Sequence, residues 1–125
     1  MEKKIIATTA APAAIGPYSQ GIDLGNLVFT SGQLPIDPAT GEMPADIAGQ
    51  ARQSLTNVKA ILAEAGLGME NIVKTTVFLQ NMSEFAAMNE VYTSFFEGAP
   101  PARSAVEVAK LPKDALIEIE VIAAR

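Results

Sequence analysis

The chain has 125 residues with nine basic and fourteen acidic side chains, a net charge of −5, and neither cysteine nor histidine. That length suits one domain with its own core, and 49% apolar against 18% charged residues is the balance of a globular chain rather than a disordered one. The missing residue types exclude disulfides, thiolate and Ser-His-Asp nucleophiles and most zinc sites, and the scattered basic residues disfavour nucleic acid, whose phosphates need clustered Lys and Arg.

The opening "MEKKIIATTAAPAA" places two lysines before small residues, but its apolar run is too short and too rich in Thr and Ala for a signal peptide. No segment approaches the roughly eighteen apolar residues of a membrane span, so a cytoplasmic protein is expected. Residues 3–8 read as a short edge strand, followed by a loop in which Gly16-Pro17 marks a turn ahead of Tyr18. "SQGIDLGNLVFTSGQLP" reads as a hairpin about Gly25-Asn26, a pair that tolerates positive φ. "PIDPATGEMPAD" is a turn-rich loop punctuated by Asp37-Pro38 and Thr40-Gly41.

The first helix is expected to be capped by Asp46 and ended by Gly66, with Ile47, Ala51, Leu55, Val58, Leu62 and Ala65 as its buried stripe. Gly66-Leu67-Gly68 follows a helix rather than a strand and so is no dinucleotide fingerprint. "NIVKTTVFLQ" is a strand, dense in Val, Ile, Thr and Phe. Ser83 reads as the cap of a second helix, which makes the glycosylation triplet Asn81-Met82-Ser83 an accident; the stripe of that helix is Phe85, Met88, Tyr92, Phe95 and Phe96. Two last strands, about 102–109 and 115–124, flank the turn "KLPKD". The pattern implies an α+β domain spanning 1–125, a sheet with both helices packed against the Ile117, Ile119 and Val121 face. The other face mixes Glu118 and Glu120 with Leu116 and Ile122, and such a face is one that a second subunit can close.

With histidine and cysteine absent, chemistry falls to carboxylates, hydroxyls, Arg, Lys and backbone groups. Arg103, at the mouth of its strand behind two prolines and facing the same way as Glu107, offers a planar fork that matches a carboxylate. Glu118 is a carboxylate that can orient or deprotonate a water. Each also has an ordinary reading, as a snorkelling arginine and a solvated strand residue. Tyr18 reads equally as a packed loop aromatic, Ser31 beside Gly32 as a strand-end hydroxyl bonded to backbone, and Asn89 as a polar residue off the apolar stripe of its helix.

Taken together, the blocks "APAAIGPYSQGI" (10–22), "FTSGQLPIDPATGEMP" (29–44), "QARQSLTNVKAILAEAGL" (50–67), "VKTTVFLQNM" (73–82), "MNEVYTSFF" (88–96) and "PPARSAVEVAKLPKDALIEIEVIA" (100–123) resemble the RidA/YjgF family of reactive-intermediate (enamine/imine) deaminases, also called the L-PSP or translation-inhibitor endoribonuclease family. The resemblance implies a chorismate-mutase-like fold and a homotrimer with a central barrel, helices outside and a ligand cleft between each pair of subunits. It implies that Arg103 binds the substrate carboxylate and that Glu118 assists water, with Tyr18, Ser31, Gly32 and Asn89 lining the pocket. Where the family commonly carries cysteine this chain has Ala105, which removes thiol-dependent behaviour and leaves a backbone that can still meet a ligand.

The activity so implied is hydrolysis of 2-imino acids and their 2-aminoacrylate-type enamines to 2-keto acids and ammonia, without metal or cofactor. Such imines hydrolyse unaided, so the enzyme need lower the barrier by only a few kcal/mol, at about 1.4 kcal/mol per tenfold. One clamp and one oriented water suffice for that. The competing expectations are a sensor that binds a small carboxylate without turnover, and an endoribonuclease, which the net charge and missing histidine oppose. A purely structural role explains neither Arg103 nor Glu118.

Overall fold

The structure, a computed structural model, describes residues 2–125; Met1, where the expected domain begins, lies outside them. Six strands and two helices alternate along the chain: β1 (Lys4–Ile6), β2 (Gly21–Asp23), β3 (Leu27–Thr30), α1 (Ile47–Glu64), β4 (Ile72–Leu79), α2 (Phe85–Ser94), β5 (Ala102–Glu107) and β6 (Ile117–Ala124). They form one mixed sheet in the order β1-β2-β3-β6-β4-β5, antiparallel throughout except for the parallel pair β4–β5. The last strand thus lies in the middle of the sheet. The α+β architecture with both helices on one face is the one the residue pattern predicts.

β6 shows why the faces differ. Ile117, Ile119, Val121 and Ala123 are buried beneath the helices with Leu55, Val58, Ile61 and Leu62 of α1, while the alternate residues point away. Asp46 caps α1 by accepting the Gly49 N–H at 2.9 Å. Gly66 closes its other end at φ +78, the left-handed conformation that lets the Gly66 and Leu67 N–H groups donate to the carbonyls of Ala63 and Leu62. Both helix boundaries agree with the sequence reading.

Two details differ. The cap before α2 is Asn81, whose side chain accepts the Ser83 N–H at 3.0 Å; the expected cap Ser83 lies inside a short 3-10 turn, Met82–Glu84, that precedes the helix. Asn takes this place because its carbonyl reaches an N–H two residues on. The first strand is shorter than residues 3–8, ending at Ile6, because Gln20 holds both the N–H and the carbonyl of Thr8 outside the sheet.

Buried polar residues of α1 hold the loops that border the site. Asn57 donates to the carbonyls of Leu34 and Ile36, at 3.0 and 2.9 Å, and Gln50 links the Pro44 carbonyl to the Leu116 N–H. No helix among the described residues is long and apolar enough to cross a membrane.

Candidate functional site

Strand register decides where the candidate residues go. In β4, Thr75, Val77 and Leu79 are buried under the helices, and their parallel partners in β5 are Arg103, Ala105 and Glu107. Arg103 therefore lies on the helix side of the sheet. Glu118 pairs with Phe78 and lies on the open side, between buried Ile117 and Ile119. The two residues that chemistry would join are on opposite faces, with β4 between their strands.

The helix-side group is built by α2. Phe85, Asn89 and Tyr92 recur at i, i+4 and i+7 and so share one helix face. The Arg103 guanidinium carbon lies 5.2 Å from the Phe85 ring centre and 4.8 Å from that of Tyr92, and its Nη1 donates to the Asn89 Oδ1 at 2.6 Å. A guanidinium only donates, so the Asn89 oxygen must face it and the amide nitrogen is left for a ligand. Asn89, Arg103 and Tyr92 border a cavity of about 510 Å³, with Phe96 and Pro101 also in its wall. Ala105, two residues along the strand, packs against the core rather than lining this cavity. Glu107 is not a partner of Arg103: its Oε1 accepts the Met82 N–H at 2.8 Å and so anchors the turn before α2.

The open-face group is built by loops. Glu118, Ser31, Gly32 and Tyr18 border a larger cavity of about 860 Å³, with Ile15 and Leu34 among its apolar walls. A Cβ on Gly32 would stand 2.6 Å from the Glu118 Oε2, and its φ is not left-handed, so glycine is present to make room for the carboxylate. Burial, followed by the charge of Glu120, pushes the Glu118 carboxyl above its ordinary value. The Ser31 hydroxyl donates to the Ser19 carbonyl at 2.6 Å, the backbone bond expected of it, and its oxygen remains free to accept. Tyr18 is half exposed on a loop turned by Gly16 at φ +122. Gln20, buried, anchors the same loop by donating to the Pro12 carbonyl at 2.7 Å.

Of the candidates read from sequence, Tyr18, Ser31, Gly32 and Glu118 thus share one cavity and Asn89 and Arg103 another. The core placement of Phe85 and Tyr92 holds; what sequence reasoning missed is that both also meet Arg103, although their spacing from Asn89 was a signal that all three share a face. It also missed Lys113 on the rim of the larger cavity, where Lys113 and Asp114 take φ of 57 and 56 in succession, a strained arrangement for residues other than glycine. No cluster of three or more His, Cys, Asp or Glu side chains able to hold a metal ion occurs among the described residues.

Comparisons with known proteins agree over nearly the whole chain. Residues 8–125 match the family model described as Endoribonuclease L-PSP. The chain is 62% identical over 125 residues to the 2-iminobutanoate/2-iminopropanoate deaminase of Escherichia coli K12, covering 98% of each. Its fold matches the YjgF gene product of Escherichia coli with a TM-score of 0.96 at 62% identity, covering 98% of both chains. It matches Escherichia coli TdcF with bound serine equally closely, at 0.96 and 58% identity over 98% of both. With the motifs, the fold and these matches in agreement, the chain belongs to the RidA/YjgF family.

Proposed function

We propose that the chain is a 2-iminobutanoate/2-iminopropanoate-type deaminase, acting in the cytoplasm as a homotrimer. It hydrolyses the imine, and the 2-aminoacrylate-type enamine once tautomerised to imine, to a 2-keto acid and ammonia. The observation that carries this reading is the division of the site. A carboxylate-binding arginine at a free sheet edge and a poorly solvated carboxyl on the open face of the same sheet make two halves that one chain cannot unite. A neighbouring copy presenting its Glu118 cavity to this chain's Arg103 completes the site.

In the completed cleft Arg103 takes the substrate carboxylate in a two-pronged bond, with the Asn89 amide beside it. This fixes the imine carbon opposite the partner's Glu118. Water held by that carboxylate, with Tyr18 and Ser31 along the wall, bonds through its oxygen to the imine carbon while one of its protons passes to Glu118, and Glu118 returns that proton to the nitrogen to give the carbinolamine. The carbinolamine hydroxyl then gives up its proton, again by way of Glu118 to the nitrogen, as the C–N bond breaks; the nitrogen leaves as ammonia and the carbonyl of the keto acid forms.

Two further facts support the reading: the identity to the Escherichia coli deaminase, and serine, itself a small carboxylate, bound in TdcF. The endoribonuclease of the family description has less support from this chain. It has no histidine to activate a ribose hydroxyl, and the two cavities together hold only the cations Arg103 and Lys113 among the described residues.

The test is keto-acid release from an imine generated in situ by an amino-acid oxidase, with semicarbazide competing for the imine. Wild type should outcompete semicarbazide, and Arg103→Ala and Glu118→Gln should not. A folded wild type that binds keto acids tightly yet never turns over would identify a sensor instead.

A further inference from the structure

We infer that Tyr92 and Thr75 are the positioning pair of this site: their mutual hydrogen bond ties the ring beneath Arg103 to the strand beside Arg103 and so fixes where the guanidinium meets its carboxylate ligand. The inference rests on the proposed role of Arg103 as that clamp.

Three side chains of α2 touch Arg103, but only one is fastened to the sheet as well. Phe85 and Asn89 are held by their helix. Tyr92 reaches through the core, and its hydroxyl shares a 2.7 Å hydrogen bond with the Thr75 Oγ1, both groups being buried. Thr75 is the residue of β4 registered with Arg103 on β5. The strand that sets the Arg103 backbone therefore also sets the ring on which its head rests, and the loop from Thr75 through Tyr92 to Arg103 and back across the β4–β5 ladder is closed. Phe96 packs tilted against the Tyr92 ring at 4.8 Å between centres and helps to hold it in place.

Folding alone does not call for these hydroxyls. Thr75 sits in a strand whose next inward residue is Val77, and Tyr92 lies on an apolar stripe where phenylalanine fills nearly the same volume. Two buried hydroxyls that satisfy each other contribute little net stability, and replacing both by apolar groups of the same shape is close to neutral. What the pair supplies is location. At 5% exposure Tyr92 keeps its hydroxyl away from any ligand, so its effect on catalysis passes through Arg103. Burial, opposed by the hydrogen bond to Thr75 and the charge of Arg103, holds the phenol above its ordinary range, so it keeps its proton, and either hydroxyl can donate to the other.

The experiment measures 2-oxobutanoate binding by calorimetry, and kcat and KM for the matching imine, in wild type, Tyr92→Phe, Thr75→Val, the double variant, Thr75→Ser and Arg103→Ala. Each single change should weaken binding and raise KM about three- to tenfold while kcat stays within about twofold. The double variant should be no worse than either single one, because one shared bond is lost in each case. Thr75→Ser, which keeps the hydroxyl, should restore binding close to wild type. The double variant should melt near wild type, and Tyr92→Phe and Thr75→Val somewhat below it, because each single change leaves one buried hydroxyl unpaired. Arg103→Ala separates the two claims. If it binds like wild type, or if wild type itself does not bind, the clamp fails and this inference with it. If Arg103→Ala is impaired while Tyr92→Phe and Thr75→Val bind normally, or melt early with an unchanged KM, or add in the double variant, the positioning pair alone is overturned.

Discussion

On the helix side of the sheet Arg103 is surrounded by partners, and on the open side Glu118 has none among the described residues. The arginine lies between two aromatic rings with an amide oxygen on its Nη1. Among the described residues the glutamate's carboxylate accepts no hydrogen bond; it is half buried beside a like charge and rests against a glycine that gives it space rather than support. A satisfied cation holds one geometry and suits binding. A carboxylate kept short of donors holds its proton more tightly, which suits a group that accepts and returns protons. The two halves are thus prepared for different work before any ligand arrives, and within one chain the sheet keeps them apart.

The largest expected effects remove one half outright. Glu118→Gln should cut kcat about a hundredfold with little change in 2-oxobutanoate affinity, since on the proposed mechanism it removes the proton acceptor and leaves the clamp. Arg103→Ala should cut kcat/KM by about as much, mainly through KM, because a two-pronged charged contact is lost. Steady-state kinetics beside calorimetry separate the two patterns, and identical patterns would erase the division of labour.

Gly32→Ala sharpens the comparison, because it alters the space around Glu118 without touching its chemistry. The new methyl must displace the end of a flexible side chain, so the fold should survive. A carboxylate shifted by about an ångström should lower kcat by tenfold or more. A fully active Gly32→Ala would show that the carboxylate position does not matter.

Smaller effects come from titration. The raised Glu118 carboxyl means that the folded state binds this proton more tightly than the unfolded one. Ionising it therefore costs stability, a loss that starts above the unfolded value and is complete above the raised folded one. Glu118→Gln removes that loss and should melt no lower than wild type at neutral pH, although inactive. With Glu118 ionised as the acceptor, kcat should rise with pH through its raised value. Glu120→Gln, by removing the second cause of the shift, should move that rising limb to lower pH. A limb that stays in place would assign it to another group.

Much of this was legible in the sequence because it rests on local periodicity. The alternation of Ile117, Ile119 and Val121 with Glu118 and Glu120 defined two faces, and Asp46 and Gly66 marked both ends of α1. Register between distant segments was not legible. Nothing near Arg103 in the chain says that it pairs with Thr75 in parallel, and two strands that flank one turn give no sign that β4 lies between them. The same limit hid the Thr75–Tyr92 bond, whose members read individually as a strand former and a helix core aromatic. Asn57 and Gln20 were missed for another reason: a buried polar side chain that serves a loop carbonyl leaves no periodic trace.

The central claim is that Arg103 of one copy and Glu118 of another make one active site. Mixing Arg103→Ala with Glu118→Gln, unfolding and refolding them together to exchange subunits, and assaying the imine tests it most directly. Random mixed trimers should recover about a quarter of wild-type activity, since one cleft in four receives an intact arginine and an intact glutamate from two different chains. Mixed trimers as inactive as either parent would place both residues in the same chain's site and contradict the account.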